Sequence, residues 1–314
     1  MRKQIQYAVC LCAGLALLSG CKAETSASFS QTDEAKAAPV AFTDALGYEI
    51  SVENPENVAV LSGSFADAWL LAGGRLAAAT EDAKETIEWT QETESLGALK
   101  SPSIERMVAE NIDFAILSST IAEHVDIRDT LELAGIRTAY FDVETFDDYA
   151  AMMDILTDIT GRKDLYQENV EVVRAEIAEQ LKRVDGSDPS VLFLRAYSTG
   201  VRAKGSDSMT GQMLKDLGCI NIADSDGSLL DDLSLEAIIE ADPDYIFLTT
   251  MGESQEDALQ MAQTLLLSNP AWNGLKAVQD GHYFVLPKEL FHNKPNERWG
   301  ESYRILADDL YGEK

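Results

Sequence analysis

Two stretches of the chain are near copies of each other: SIERMVAENIDFAIL, Ser103 to Leu117, and SLEAIIEADPDYIFL, Ser234 to Leu248. In each, a Ser stands where it can cap a helix, a Glu falls in the first turn where the helix dipole favours an anion, and an Asp turn leads into an apolar strand-like run. A chain that writes one helix–strand unit twice is constrained to two lobes of similar plan. Helix capping explains either Glu105 or Glu236 alone. Two carboxylates in matched places on two lobes also form a two-pronged dock for Arg residues of a partner.

The rest of the sequence fits that plan. Short β-rich runs at Val58–Leu61, Leu76–Ala79, Phe114–Leu117 and Thr138–Phe141 alternate with helical stretches at Phe65–Ala72, Ser103–Glu110 and Ile127–Ala134. The cycle restarts at Val191–Leu194 and runs through Met209–Leu217, Leu235–Ala241, Tyr245–Leu248 and Ala258–Leu267 to Tyr283–Leu286. Such alternation predicts an α/β protein: two Rossmann-like lobes with mainly parallel sheets and a ligand cleft between them. Between the cycles, Leu165, Val170, Val173, Ile177, Leu181 and Val184 recur at helical spacing in a stretch without Gly or Pro. That predicts one long rigid helix over 164–184 joining lobes at 40–163 and 185–314, with large hinge closure disfavoured. VAFTDALGYEISV, from Val40, reads as two short strands around the turn Asp44-Ala45-Leu46-Gly47.

The first 21 residues carry Arg2 and Lys3, then an apolar run from Tyr7 to Leu18, then Leu18-Ser19-Gly20-Cys21. The run is shorter than the ~20 apolar residues that cross a bilayer, so it reads as a signal peptide. Its end resembles a bacterial lipobox, which implies lipidation at Cys21. Residues 22–39, rich in Ala, Ser, Thr and charge, read as a flexible tether. On that reading Cys10 and Cys12 leave with the signal and Cys21 is lipidated, so Cys219 is the one thiol left free, expected to be buried and unreactive, and no internal disulfide is possible.

With 25 basic and 54 acidic residues the chain carries −29, which argues against nucleic acid because a phosphate backbone needs a basic footprint. His124, His282 and His292 are not paired as in a zinc site, so no resident metal is expected, and His282 reads as structural. No phosphate-binding glycine loop, nucleophile elbow or Cys/His pair is present. Ser64 follows a strand, but Ala66 stands where the elbow needs Gly, so a hydrolase is a weak alternative and a lipid-anchored adhesion or scaffold module a third.

The lipobox, the tether, FTDALGYEISV, the Ser-x-Glu helix in each lobe and the linking helix together resemble the substrate-binding lipoproteins of ABC importers for iron-siderophores, haem and cobalamin. The likeness spans about Val40 to Tyr311. It implies a non-enzymatic, monomeric chain at the outer face of the cytoplasmic membrane, working with a permease dimer and its ATPase subunits. It also implies that Glu105 and Glu236 dock on Arg pockets of that permease.

Ligands of open parallel sheets sit beyond the carboxyl ends of the strands. The residues there include Ser62 and Phe65 after one strand, Ser118-Ser119-Thr120 after another, and Trp89 in the loop beyond Leu76–Ala79. The second lobe offers Arg195, Tyr197, Arg202, Lys204, Met251 and His292, with Arg298 further on. In so acidic a chain, gathered cations suggest an anionic ligand: a ferric catecholate, a ferric hydroxycarboxylate or the propionates of haem. Any one Arg could equally be a solvated or ion-paired surface residue. Tyr197, Met251 and His292 are the candidate haem ligands. The expected order is ferric siderophore, then haem, then cobalamin.

Overall fold

The protein is described here by a computed structural model covering residues 38–225, 227–252 and 254–312; the signal segment with Cys21 and nearly all of the tether lie outside these residues. The chain opens with a hairpin, β1 (Val40–Thr43) against β2 (Glu49–Val52), paired Val40 to Val52 around Gly47 at φ 85°. The first lobe follows: β3 (Val58–Val60), α1 (Gly63–Leu71), β4 (Ala78–Ala79), β5 (Glu94–Ser95), α2 (Ile104–Ala109), β6 (Phe114–Ser118), α3 (Ala122–Asp126), α4 (Arg128–Leu133), β7 (Arg137–Phe141) and α5 (Phe146–Thr160). A helical segment links the lobes: α6 (Lys163–Tyr166), a π-turn at Gln167–Glu171, and α7 (Val172–Leu181).

The second lobe contains β8 (Ser190–Tyr197), β9 (Gly200–Ala203), α8 (Met209–Asp216), β10 (Ile220–Asn221), α9 (Gly227–Asp232), α10 (Leu235–Ala241), β11 (Tyr245–Thr250), α11 (Gln255–Ala262), α12 (Lys276–Gln279), β12 (Tyr283–Val285), α13 (Lys288–Phe291) and α14 (Trp299–Tyr311). The first sheet has the order β5-β4-β3-β6-β7 and is parallel throughout. The second runs β10-β8-β11-β12 in parallel, with β9 added antiparallel to β8. Stripped of β5 and β9, the two orders coincide: the second strand, the first, the third, the fourth.

The repeat survives in atomic detail. Ser103 Oγ accepts from Arg106 N at 3.3 Å and Ser234 Oγ from Ala237 N at 3.3 Å. Asn111 (φ 52°) and Asp242 (φ 41°) turn left-handed just past each helix, a conformation that Asn and Asp tolerate. Asp113 then accepts from the backbone of Glu56 and Asn57 ahead of β3, and Asp244 from Ser190 at the start of β8. Each repeat thus ties its helix–strand unit to the lobe's first strand.

Strand alternation builds the core. Val58, Val60, Phe114 and Ile116 face one side of the first sheet, and Ala59, Leu61, Ala115 and Leu117 face the other, where Met107 and Leu131 cover them. In the second lobe Val191, Phe193 and Phe247 face the same cluster as the first lobe's Val58 set, while Leu192, Leu194 and Ile246 pack on the opposite face. One apolar cluster therefore runs through both lobes, carried by α1, α5, α7, α8 and α14. Each side chain fully buried there contributes roughly 1.5–3 kcal/mol.

The linking segment departs from the uniform rod expected. Helical backbone is continuous over Lys163–Leu181, but its second turn is a π-turn. Val170, Val173 and Ile177 are buried, whereas Leu165 lies five residues ahead of Val170 rather than three or four. The π-turn absorbs that extra residue. Asn169 anchors it, donating Nδ2 to Leu71 O at 3.0 Å while its carbonyl accepts from Tyr149 Oη at 3.3 Å. After the last strand the chain is largely helical, α13 and α14, with Trp299 buried edge-on against Phe146.

Candidate functional site

In both sheets the strand order reverses beside the first strand, between β3 and β6 and between β8 and β11. The carboxyl ends of these strands leave a crevice in each lobe. One cavity of about 660 Å³ joins the two crevices, a size suited to a small-molecule ligand.

The first lobe supplies mostly hydroxyls. Ser62 and Ser64 follow β3, and Ser118 and Thr120 end β6. Gly63 lets the chain turn tightly here: its N–H donates to Asp82 Oδ2 at 2.6 Å, and a Cβ would lie 2.9 Å from the Ala83 backbone. Asp82 Oδ1 is buried without a partner. His124 is wholly buried beneath this wall; its Nδ1 accepts from Ser118 N and its Nε2 donates to Leu99 O at 2.8 Å. Burial holds its pKa low, so it is a neutral brace for the loops around it.

The second lobe supplies cations. Arg195 and Lys204 line the cavity. In the antiparallel β8–β9 pair, Arg195 stands directly opposite Arg202, so both side chains share one sheet face. Lys204, two residues beyond Arg202, lies on that face as well. Like charges directly opposed are unfavourable, yet none of the three has an acidic partner among the described residues. Arg195 Nε is buried and makes no hydrogen bond. Acids in the cavity do not neutralise them: Glu144 pairs with Lys294 at 3.0 Å and Glu123 reaches Lys100 at 3.9 Å. Asp82 and Asp207 are the remaining carboxylates.

His292 also lines the cavity, with Nδ1 buried and unpartnered. Burial first, then the charges of Arg195, Lys288 and Lys294, push its pKa down to about 3. A histidine with a depressed folded pKa takes up a proton more readily when unfolded, so its stability contribution is lost as pH falls from about 6.5 toward 3. Replacing His292 by Leu is therefore expected to raise the melting temperature relative to wild type progressively between pH 7 and pH 4. A difference that stays flat with pH would contradict the buried, neutral imidazole.

Of the residues singled out in the sequence, Ser62, Phe65, Arg195, Lys204, Met251 and His292 converge on this cavity, and Trp89, Tyr197, Arg202 and Arg298 do not line it. Trp89 packs on the apolar core with Lys84 Nζ 5.2 Å from its ring. Tyr197 is half-buried and Arg202 exposed toward the turn of the β8–β9 hairpin, and Arg298, at the start of α14, pairs with Glu301 at 2.8 Å. Lining residues that sequence reasoning missed include Asp82, Lys100, Glu144, Asp207, Met209 and Lys294. Lys294 lies two residues from His292 in the same loop, so its basic charge was a usable signal. Asp82 and Glu144 stand three residues beyond the strand runs ending at Ala79 and Phe141, so the strand-end rule reaches them too.

The lobes also bond directly around the cavity. Lys288 pairs with Glu85 at 2.8 Å, Met209 N donates to Glu144, and Asn296 Nδ2 donates to Ser64 O and to Asp67 Oδ2. Glu105 and Glu236 are both exposed in the first turns of α2 and α10. His282 is stacked on Tyr245 at 4.4 Å and bonded to Asp244 O, and Cys219 is buried with its thiol pushed up to about 12 by desolvation.

Residues 58–290, well over half of the chain, match the family described as periplasmic binding protein. The chain belongs to the periplasmic binding protein family. Solved structures agree on the fold of this binding protein. Staphylococcus aureus IsdE complexed with haem superimposes with a TM-score of 0.70 at 17% identity, covering 81% of this chain and 98% of that one. The catecholate-siderophore binding protein VctP of Vibrio cholerae gives 0.70 at 17% identity over 88% and 100%. Staphylococcus aureus SirA complexed with staphyloferrin B gives 0.67 at 19% identity over 86% and 97%. No curated protein matches the chain. The hydrolase and scaffold alternatives find no support in these comparisons.

Proposed function

We propose that this binding protein is the extracytoplasmic capture component of an ABC importer and that its ligand is an anionic ferric chelate, a ferric siderophore. On this reading the chain is a monomer held at the outer face of the cytoplasmic membrane through a lipid on Cys21. It presents Glu105 and Glu236 to a permease dimer driven by ATPase subunits. One observation carries the ligand class: in a chain of net charge −29, Arg195 and Lys204 line the cleft, Arg202 shares their sheet face, and none of the three has an acidic ion-pair partner among the described residues. An anion bound there would relieve the Arg195–Arg202 repulsion and satisfy the buried Arg195 Nε. Hydroxyls from Ser62, Ser64, Ser118 and Thr120 face these cations and suit the polar oxygens of a chelate. Phe65 and His292 are the only aromatic rings in the described lining, which favours a hydroxycarboxylate chelate over flat aromatic ligands.

Haem is the second reading, favoured by the neutral His292 with its unpartnered Nδ1 and by Met251 in the same cavity. Titration of the purified protein, followed by tryptophan fluorescence, separates the two. Ferric citrate, as a hydroxycarboxylate chelate, or ferric staphyloferrin B is expected to quench at micromolar concentration or below, with haemin and cobalamin at least tenfold weaker. Tight haemin binding with no response to either ferric chelate would overturn the order.

A further inference from the structure

Repetition inside one chain separates what packing requires from what it does not. Between the two copies, the buried matches Met107 with Ile238, Ile116 with Phe247 and Leu117 with Leu248 are demanded by a helix covering a sheet. The exposed matches have no such cause. Glu105 and Glu236 are one such pair. The other is Val108, 51% exposed, and Ile239, 40% exposed. Each aliphatic stands three residues after its Glu, so the two side chains are neighbours on one helix face. Exposed branched aliphatics on so acidic a surface gain nothing from the fold.

The charges beside them are also uncommitted. Neither Glu105 nor Glu236 makes an ion pair or side-chain hydrogen bond among the described residues. Arg106, next to Glu105, is turned away, donating to Ser95 O at 2.6 Å and standing 3.6 Å from Glu94. A helix that feeds a parallel strand runs back along it, so the first turns of α2 and α10 lie at the carboxyl edge of the strands, the edge that holds the cleft. Leu99 and Lys100, which line the cavity, are only a few residues ahead of Ser103.

The geometry points to a composite contact on each lobe, Glu105 with Val108 and Glu236 with Ile239, whose occupant is the permease dimer. This rests on the docking reading above and extends it. A chain with internal twofold likeness suits a partner with true twofold symmetry. Each half of that partner offers a guanidinium or ammonium for the carboxylate and, beside it, an apolar wall for the aliphatic side chain. The charge sets orientation and approach, and the apolar contact slows release.

The test uses the full-length lipoprotein in iron-starved source cells given 55FeCl3, alongside ferric citrate titration and thermal melting of each purified variant. The double variant Val108→Ser/Ile239→Ser is expected to lower the initial rate of 55Fe uptake at least tenfold, with melting temperature and chelate affinity unchanged. Exchanging the aliphatics, Val108→Ile with Ile239→Val, is expected to keep uptake within twofold of wild type. Wild-type uptake by the Ser pair, while Glu105→Ala/Glu236→Ala abolishes it, would overturn this inference and leave carboxylate docking standing. Wild-type uptake by both pairs would overturn the two together.

Discussion

Replacing Arg195 by Met is expected to weaken binding of a ferric hydroxycarboxylate by roughly 10- to 150-fold, because a hydrogen bond to a charged group contributes about 1.5–3 kcal/mol. The same change is expected to leave the melting temperature of the free protein unchanged or higher. Among the described residues Arg195 makes no ion pair, its Nε is buried without a partner, and Arg202 opposes it across the hairpin. A residue kept for the fold would show the reverse pattern, lower stability with unchanged affinity. Arg202→Ala, at an exposed site outside the cavity, is expected to weaken binding only a few-fold through the lost field. Unchanged affinity for ferric citrate in the Arg195→Met protein, measured by fluorescence titration, would remove the second lobe's cations from the site.

Gly211→Ala is expected to cost both stability and affinity. A Cβ at Gly211 would lie 2.1 Å from Gly205 O and 2.9 Å from Ser208 Oγ, so a backbone carbonyl must move. Overpacking of this kind costs about 1–3 kcal/mol or more, a fall in melting temperature of roughly 2–4 °C per kcal/mol in a chain of this size. The displaced loop runs between Lys204 and Met209, both in the cavity wall, so chelate affinity should fall with stability. Gly274→Ala, where a Cβ would meet nothing within 4 Å, is the matched control and is expected to be neutral. Equal melting temperatures for the two variants would contradict the close packing of α8 on this loop.

The lobes were legible because buried parallel strands are written as short apolar runs that composition alone reveals, and because the Ser-x-Glu unit occurs twice. Elements that escaped are those whose pattern is set by tertiary context. β5 and β10 are two residues long, and α5 mixes Asp147, Asp148, Asp154 and Asp158 with a buried face of Tyr149, Met152, Met153 and Leu156. The five-residue step from Leu165 to Val170 was visible in the linking segment, but only the folded chain shows it taken up by a π-turn around Asn169. In the site, residues that follow the apolar strand runs of the sequence, such as Ser62, Arg195 and Met251, could be found from the rule that ligands sit beyond strand ends, although β8 itself continues past Arg195 to Tyr197. Trp89 lies in a loop beyond such a run but turns to the core, and Arg298, at the helical start of α14, pairs with Glu301, choices made by neighbours distant in sequence and by helix geometry.

Whether the cleft carries an anionic ferric chelate is decided by purifying the protein from iron-starved source cells given 55FeCl3. 55Fe is expected to co-elute with the wild-type protein under a broad visible band, and to be lost from the Arg195→Met protein. A Soret band, or wild-type protein that elutes without 55Fe, would contradict a ferric chelate in the cleft.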